Sequence, residues 1–410
     1  QTLIGGLAGD AITTGADNTA VGYQALTTNQ TSANNTAVGV SALKLNTGAD
    51  NTAVGRGALL NQAAGLQNTA VGFDAGNDIT TGQYNVIMGA RAGDALTDAD
   101  NNVAIGRAAL SGDTLGSNTI AIGRNALINQ NFTTATDTFN VAIGDRAGAG
   151  VTTGEGNTLI GGLAGDALTD ANFNVAVGKN ALSSDTLGSF NTAIGINALE
   201  TQNFTTATNA YNTAVGALAG GAVSTGQYNT LLGGLSGDAV TTGGFNVAMG
   251  YTSLGANQTG SQAVAIGSFA LNVQNVAGAT NNVAVGHSAG AAVTTGIENT
   301  LLGGEAGDAL TDADANVAVG KGALGSDTLG SQSTALGTGA LSSQNFTTAT
   351  DTFNTAVGHG VGASITTGFI NTLIGGESGD ALTDGSANVA VGYNALSSDT
   401  RGSRTIAIGR

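Results

Sequence analysis

The chain has 410 residues, a formal net charge of −17, 67 glycines, and no proline, cysteine or tryptophan. Aromatic residues make up only 4% of it, so a core built from bulky side chains is excluded and any core must be thin. The acidity leaves no basic face for nucleic acid, and no apolar run reaches the roughly 20 residues that a membrane helix requires.

A short sequence, Asn-(Thr/Val)-Ala-(Val/Ile)-Gly, recurs along the whole chain, as at Asn18–Gly22 and Asn174–Gly178. Counting degenerate copies gives 24 units, usually about 17 residues apart, and from Asn85 onward four units form a super-repeat of about 72 residues. The last unit stops after six residues. We therefore expect residues 1–410 to form one continuous repeat array that is a fragment of a longer chain.

Each unit begins with a strand-like alternation that ends at a glycine, and continues with Thr-Gly, Gly-Asp and Asn-rich turn sequences. No apolar period of 3.6 residues is present, which excludes most helical repeats. The sequence predicts an all-β fold, a parallel β-solenoid with coils of about 17 residues.

Alternate side chains of the first strand-like segment, Thr19-Ala20-Val21, must point to opposite faces. We assign Thr19 and Val21 to the core and Ala20 to the outside. The repeated alanine column would then be an exposed apolar stripe, and such a stripe indicates self-association. With threonine assigned to the core and its column interrupted by valine, ice binding is not expected.

The position four residues after the repeat glycine is Leu in 12 complete units and Gly in 11. When it is Gly9, an aliphatic residue, Ile12, follows three residues later; when it is Leu26, a polar residue, Asn29, follows. The same relation holds in every complete unit. It predicts one core slot per coil, filled from either of two backbone positions, as close packing requires.

The unit Asn-Thr-Ala-Val-Gly-x-x-Ala-Leu, as at Asn18–Leu26, resembles the head repeats of YadA-like trimeric autotransporter adhesins and the repeat arrays of phage tail fibres. The resemblance covers nearly the whole chain. It implies a left-handed parallel β-roll, a homotrimeric rod, and a place outside the cell, on a cell surface or in a virion fibre. The coil is longer than that of the adhesin heads, and neither an anchor barrel nor a coiled-coil stalk is found.

The sequence has few side chains that are candidates for catalysis or metal binding. The two histidines, His287 and His359, occupy one column in successive super-repeats, and that column accepts many residue types, so we interpret both as solvent-facing. Acidic turns such as Asp94, Asp98 and Asp100 recur with the coil rather than forming one constellation, so they are interpreted as solvated turn residues. We predict no catalytic residue, no metal ligand and no cofactor.

Three lengthened coils carry the insertion Gln-Asn-Phe-Thr-Thr-Ala-Thr, and their phenylalanines, Phe132, Phe204 and Phe346, are the candidate surface-loop contacts. The alternative is that each ring folds over the edge of the coil and seals the core. A further group of aromatic residues, including Tyr84 and Phe139, shares the column just before the repeat asparagine and predicts a structural ladder or part of a subunit interface.

Taken together, the sequence predicts a structural, non-enzymatic, extracellular fibre segment whose partner is itself. A cell-surface glycan or protein is the expected receptor, and neither nucleic acid binding nor membrane insertion is expected. Two alternatives remain open: a filament subunit that assembles end to end, and a glycan-cleaving spike.

Overall fold

The computed structural model describes all 410 residues, and it contains strands and turns but no helix. The prediction of a parallel β-solenoid is confirmed: 24 three-residue strands recur with the spacing of the sequence repeat, one in each coil. The chain divides into two compact units, Gln1–Ala210 and Tyr211–Arg410, with twelve coils each. Twelve coils at roughly 4.8 Å each make a unit roughly 55 Å long.

Within each unit, every three-residue strand pairs in parallel and in register with the strand of the next coil. The strands of the first unit are Thr2–Ile4, Thr19–Val21, Thr36–Val38, Thr52–Val54, Thr69–Val71, Val86–Met88, Val103–Ile105, Ile120–Ile122, Val141–Ile143, Thr158–Ile160, Val175–Val177 and Thr192–Ile194. Those of the second are Thr213–Val215, Thr230–Leu232, Val247–Met249, Val264–Ile266, Val283–Val285, Thr300–Leu302, Val317–Val319, Thr334–Leu336, Thr355–Val357, Thr372–Ile374, Val389–Val391 and Ile406–Ile408.

Four pairs of two-residue strands join neighbouring coils on another side of the solenoid. These pairs are Gly116–Ser117 with Thr136–Asp137, Gly188–Ser189 with Thr208–Asn209, Gly260–Ser261 with Gly278–Ala279, and Gly330–Ser331 with Thr350–Asp351. The second member of each pair belongs to a lengthened coil. The extra residues are therefore held against the coil before them by backbone pairing.

The assignment of the strand faces from the sequence is wrong. The central residue of every strand from Ala20 to Ala390 is 0% exposed, whereas Thr19 and Val21 remain partly open to solvent. The reason is the width of the coil. A second alanine column, which includes Ala25 and Ala42, is also completely buried. An interior lined by two columns of such small side chains is too narrow to hold the β-branched first and third residues of each strand.

The predicted core slot is confirmed. Leu26, Leu43 and Leu59 are fully buried where the slot is filled directly. In the coil of Gly76, the side chain of Ile79 fills it instead: a Cβ added at Gly76 would lie 3.0 Å from Cδ1 of Ile79 and 3.1 Å from Cδ2 of Leu59. The backbone at this position is left-handed, with φ of 48° at Leu59 and 56° at Gly76, so glycine fits it without strain. Leucine adopts the same conformation where its own buried side chain fills the slot.

A ladder of buried asparagines explains why most units begin with Asn. The Nδ2 group of Asn174 donates to the carbonyl oxygen of Gly188 at 3.0 Å and so closes its own coil. Its Oδ1 accepts the backbone N–H of Asn191 at 2.9 Å and so links the next coil. Because the side chain is completely buried, it satisfies two backbone groups that water cannot reach.

The glycine after each strand is required by the stacking of the coils. These 24 glycines have φ between 123° and 144°, and the coils approach each other closely at this point. A Cβ added at Gly178 would lie 2.5 Å from the carbonyl oxygen of Gly195 in the next coil. Only glycine fits a position that combines this φ with this contact.

Candidate functional site

The outer face of the sheet is the most regular surface of the molecule. It has two columns per unit, defined by the first and third residues of every three-residue strand. The first column is Thr, Val or Ile in every coil, and the third-residue column is Val, Ile, Leu or Met. Ile143, Ile194 and Met249 are each 37% exposed in it. The apolar stripe expected from the sequence is thus present, but β-branched and larger aliphatic side chains form it rather than alanine.

Residue volume would have revealed which column faces outward. The inner column is alanine in most coils, and where it is Leu or Ile, as at Leu159, the neighbouring slot position Gly165 has no side chain. A Cβ added at Gly165 would lie 2.7 Å from Cδ2 of Leu159, so these two positions share one space. Such compensation is a property of a packed interior and not of an exposed stripe.

The aromatic column before the repeat asparagine forms the predicted ladder in part. The rings of Phe173 and Phe190 stack with centroids 5.2 Å apart, and those of Tyr228 and Phe245 stack at 4.8 Å. These side chains are exposed, with Phe245 at 60%. Their backbones are left-handed, with φ of 58° at Phe245. The stacking stabilises a conformation that is unfavourable for residues other than glycine.

The insertion phenylalanines lie in the interior of the structure. Phe132, Phe204 and Phe346 are only 5–6% exposed, which leaves little ring surface for a receptor and favours the alternative that they seal the core. A buried carboxylate anchors each insertion. Asp113 Oδ1 accepts the backbone N–H of Phe132 at 3.0 Å, and Asp327 Oδ1 accepts that of Phe346 at 3.0 Å.

Sequence reasoning recognised Asp113 only as the polar partner of a leucine slot and missed its role as an anchor. Oδ2 of Asp113 also accepts Nε2 of Gln130 at 2.6 Å, and Gln130 Oε1 accepts Nδ2 of Asn140 at 2.9 Å. The pairing of an Asp with a Gln 17 residues later recurs at Asp185 and Asp327. An Asp three residues after the slot leucine, followed by a Gln 17 residues later, is found only before lengthened coils, and this pattern would have identified the anchor.

The histidines lie where the sequence analysis placed them, but the acidic turns are not all solvated: Oδ1 of Asp94 is a buried atom without a hydrogen-bond donor, and burial raises the pKa of Asp94. His287 and His359 are exposed. The acidic turns bond to neighbouring coils: Asp170 Oδ1 accepts the hydroxyls of Thr152 at 2.6 Å and Thr153 at 2.7 Å. The hydrogen bond from Thr152 is the largest cause that lowers the pKa of Asp170. No three His, Cys, Asp or Glu side chains are close enough together to hold a metal ion.

The fold and its outer face define a repeat protein of the parallel β-solenoid class. No known family model matches the chain, and no curated protein matches it either. The structure has no helix that could cross a lipid bilayer.

Proposed function

We propose that this chain is a segment of a non-enzymatic extracellular fibre, a shaft or elongated head that assembles as a homotrimer in an adhesin or a phage tail fibre. The observation that carries the proposal is the outer face of the sheet, with its two unbroken columns of β-branched and aliphatic side chains. A contiguous apolar surface of this kind is typical of an interface.

Closed cyclic symmetry would cover this face equally in every copy. The count of three is supported by the resemblance to trimeric adhesin heads. The acidic turns, which contribute to the net charge of −17, would remain on the outside of the assembly and keep it soluble. The fibre acts by geometry: it holds a binding tip away from a surface and brings many equivalent side contacts to a glycan or protein receptor.

The mass in solution tests the assembly. Light scattering during gel filtration should give three times the chain mass of 39.6 kDa. A stable monomer would contradict the proposal. Growth of the particle with concentration would instead favour the end-to-end filament.

Charged substitutions on the outer face test which surface assembles. Ile143→Lys with Ile194→Lys places two charges in the third-residue column, where both native side chains are 37% exposed. We expect the trimer to dissociate, because each lysine would be buried without a partner. Asn129→Lys, on an exposed turn, is the matched control and should leave the mass unchanged. If the double variant also keeps its mass, another face holds the assembly together.

The absence of enzymatic activity is tested separately. Polysaccharides incubated with the protein should keep their length, as measured by gel filtration and reducing-end assay. Release of oligosaccharides would favour the glycan-cleaving spike instead.

The same face favours a second candidate function, ice binding. Thr2, Thr19, Thr36, Thr52 and Thr69 are paired in register and face outward, so the assignment of threonine to the core no longer argues against ice binding. Valine still interrupts the column, but only from Val86 onward. Strands roughly 4.8 Å apart repeat hydroxyl and methyl groups at a spacing close to a lattice repeat of ice, which is longer than the distance between hydrogen-bonded oxygen atoms. Inhibition of ice recrystallisation that is lost in Thr36→Tyr would support this function, and a trimer that covers the face would exclude it.

A further inference from the structure

An open cavity of the second unit lies beside the aromatic column that precedes the repeat asparagine. It has a volume of about 350 Å³, which falls within the roughly 300–1,000 Å³ of typical small-molecule sites. Its lining consists of two aromatic rings, one amide side chain, three threonine or serine side chains and one glycine. No charged residue lines it, so an uncharged ligand is favoured in a chain that is otherwise strongly acidic.

The two rings form the apolar wall of the cavity. Tyr228 and Phe245 stack with their centroids 4.8 Å apart and an interplanar angle of 17°. Phe245 is the last ring of this stack, because the next residue in the column is Gln262. One face of Phe245 therefore has no aromatic neighbour, and the residue is 60% exposed. Such a ring face can receive the apolar C–H face of a sugar ring.

The cavity lies where a turn has lost a side chain that caps a backbone N–H. In the corresponding turns of the other super-repeats, a side chain accepts the N–H that lies two residues before the repeat asparagine of the preceding coil. These pairs are Asp100 with Gln83 at 2.7 Å, Asn172 with Glu155 at 2.7 Å, Asp314 with Ile297 at 2.8 Å, and Ser386 with Phe369 at 3.1 Å. At the cavity the capping position is Gly244, so the N–H of Gln227 has no acceptor. Gln227 is half-buried, and a ligand oxygen that pairs this N–H would be favoured.

A second donor is left free by the same change of sequence. In the preceding super-repeat, Asp170 Oδ1 accepts the hydroxyl of Thr153 at 2.7 Å, and this pairing recurs in two other super-repeats. At the cavity the aspartate is replaced by Thr242, and the hydroxyl of Thr225 has no partner. Thr225 and Thr242 are both exposed and both line the cavity, so this donor is open to a ligand from solvent.

The chain does not readily supply the missing acceptor itself. A Cβ added at Gly244 would lie 2.8 Å from the carbonyl oxygen of Gln227 and 3.5 Å from its nitrogen. The backbone is thus drawn in around the glycine, and a side chain there would require a shift of the turn. An acceptor for the N–H of Gln227 must therefore come from the cavity.

An uncapped N–H alone does not distinguish this cavity. The N–H groups of Ala33 and Ala49, in the first coils, also have no acceptor. The residues that follow them are Asn34 and Asp50, which provide no ring. The free donors stand beside an aromatic wall at Gln227 and not in these coils.

These groups together specify the ligand. The two donors require oxygen acceptors, the ring of Phe245 requires an apolar face, and the lining favours a molecule without charge. In the preceding super-repeat the acceptor is the amide carbonyl of Asn172, and an acetamido group carries the same carbonyl. We propose that this cavity binds a neutral N-acetylated amino sugar, with its acetamido carbonyl on the N–H of Gln227 and its ring on Phe245.

Saturation-transfer NMR on the whole chain tests binding, with N-acetylglucosamine and N-acetylgalactosamine as the probes. Glucose, galactose and acetamide are titrated in parallel. We expect saturable binding of at least one N-acetylated sugar, with transfer to its acetamido methyl and ring protons. Equally tight binding of the parent sugar would remove the role of the uncapped N–H, and equally tight binding of acetamide would remove that of the ring. Either result, or no binding of both probes, overturns the proposal.

Variants of the aromatic column locate the site. Phe245→Asn should weaken binding roughly tenfold, because the apolar contact with the ring is lost. Asparagine suits this position because Asn101 and Asn118 occupy the same column with φ of 59° and 60°. Phe353→Asn removes another exposed ring of the column six coils further on, and this matched control should not change binding. Undiminished binding in Phe245→Asn would overturn the assignment.

A variant that refills the turn tests the donors. Thr242→Asp restores the carboxylate found in the other super-repeats, and it should weaken binding roughly fivefold by taking the hydroxyl of Thr225. Thr259→Asp adds the same charge in the same column one coil further on, outside the lining of the cavity, and should leave binding unchanged. Unchanged binding in Thr242→Asp, or an equal loss in both variants, would contradict the proposed contacts.

The same variants separate sugar binding from assembly. Light scattering should give Phe245→Asn the mass of the wild type, and dissociation would instead assign this ring to a contact between copies and overturn the proposal. Attachment to a glycan surface through this cavity rests on the proposed fibre function, but the binding of the sugar does not. Binding by a stable monomer would support the site and contradict the trimer, and a trimer that fails to bind would do the reverse.

Discussion

The Nε2 group of Gln130 donates a hydrogen bond of 2.6 Å to Oδ2 of Asp113, and both side chains are completely buried. Oδ1 of Asp113 meanwhile accepts the backbone N–H groups of Gly116 at 3.2 Å and Phe132 at 3.0 Å. Both oxygens of the carboxylate are therefore required as acceptors. This pair fastens the first lengthened coil to the coil before it.

Asp113→Asn should destabilise the protein by about 2–3 kcal/mol, because its new amide would face the amide of Gln130. Adding Gln130→Glu reverses the direction of the bond and should recover most of the loss. The introduced amide would donate to the introduced carboxylate, whose other oxygen would still accept Nδ2 of Asn140. Chemical denaturation of the wild type, the two single variants and the double variant measures the coupling. Additive losses would show that the pair does not act as a unit.

Gly178→Ala should cost about 3 kcal/mol or more, because the new Cβ would lie 2.5 Å from the carbonyl oxygen of Gly195 and the backbone φ is +136°. Gly322→Ala is the control. Gly322 also has a positive φ, +63°, but nothing lies within 4 Å of the position that a Cβ would take there, so only about 1 kcal/mol of backbone strain is expected. Equal losses for the two variants would mean that coil stacking is not the constraint.

The shared core slot predicts that two harmful changes rescue each other. Ile79→Asn should cost about 2–5 kcal/mol by emptying the slot, and Gly76→Leu should clash with Ile79 and Leu59. The double variant recreates the arrangement of Leu43 with Asn46, whose side chains are both fully buried. A double-mutant cycle by thermal denaturation should give a favourable coupling of at least about 1 kcal/mol. A coupling near zero would contradict the shared slot.

Burial raises the pKa of Asp238 and of Asp308, and it is the largest cause in both cases. The folded chain therefore binds protons at these carboxyls at a higher pH than the unfolded chain does. Their contribution to stability is complete below the unfolded pKa and is lost as the pH rises through the folded pKa. The melting temperature should accordingly rise as the pH falls through the folded pKa values of these two carboxyls towards the ordinary value of 3.8.

Lowering the pH also reduces the repulsion among the other acidic residues of the chain. The double variant Asp238→Asn with Asp308→Asn separates that general effect from the protonation of these two carboxyls. Its melting temperature should depend less steeply on pH than that of the wild type, and scanning calorimetry at several pH values provides the comparison. A slope equal to that of the wild type would show that these two carboxyls do not contribute.

The architecture was predictable from the sequence because a repeat supplies many independent copies of one pattern. Gly76 is followed three residues later by the aliphatic Ile79, and Leu26 is followed by the polar Asn29. This relation by itself states the packing rule that one aliphatic side chain fills the core slot of each coil. The faces of the strand were not predictable from alternation alone, since Thr19 and Val21 are as compatible with a core as Ala20 is. The width of the coil decides which strand residues face the core. Left-handed turns such as those at Gln24 and Leu26 set that width.

The open cavity of about 530 Å³ that Arg91, Asp94, Arg107 and Asn125 help to line could not be predicted, for a different reason. Arg91 and Asp94 lie in one coil, Arg107 in the next and Asn125 in the one after that, and each belongs to a column that accepts more than one residue type. Stacking the coils places them around one cavity, and no spacing within a single unit contains that information. The buried role of Asp113 was partly visible, since its spacing to Gln130 equals one coil.

Each strand in the interior of a unit pairs only with the strands of the coils directly before and after it. A coil inserted or deleted as a whole would therefore meet the same hydrogen-bonding partners as the coil it replaces or joins. A gene that encodes such a chain can gain or lose a repeat by recombination between its own repeats and still specify a folded product. Length can thus evolve in this protein without any change to its folding rules.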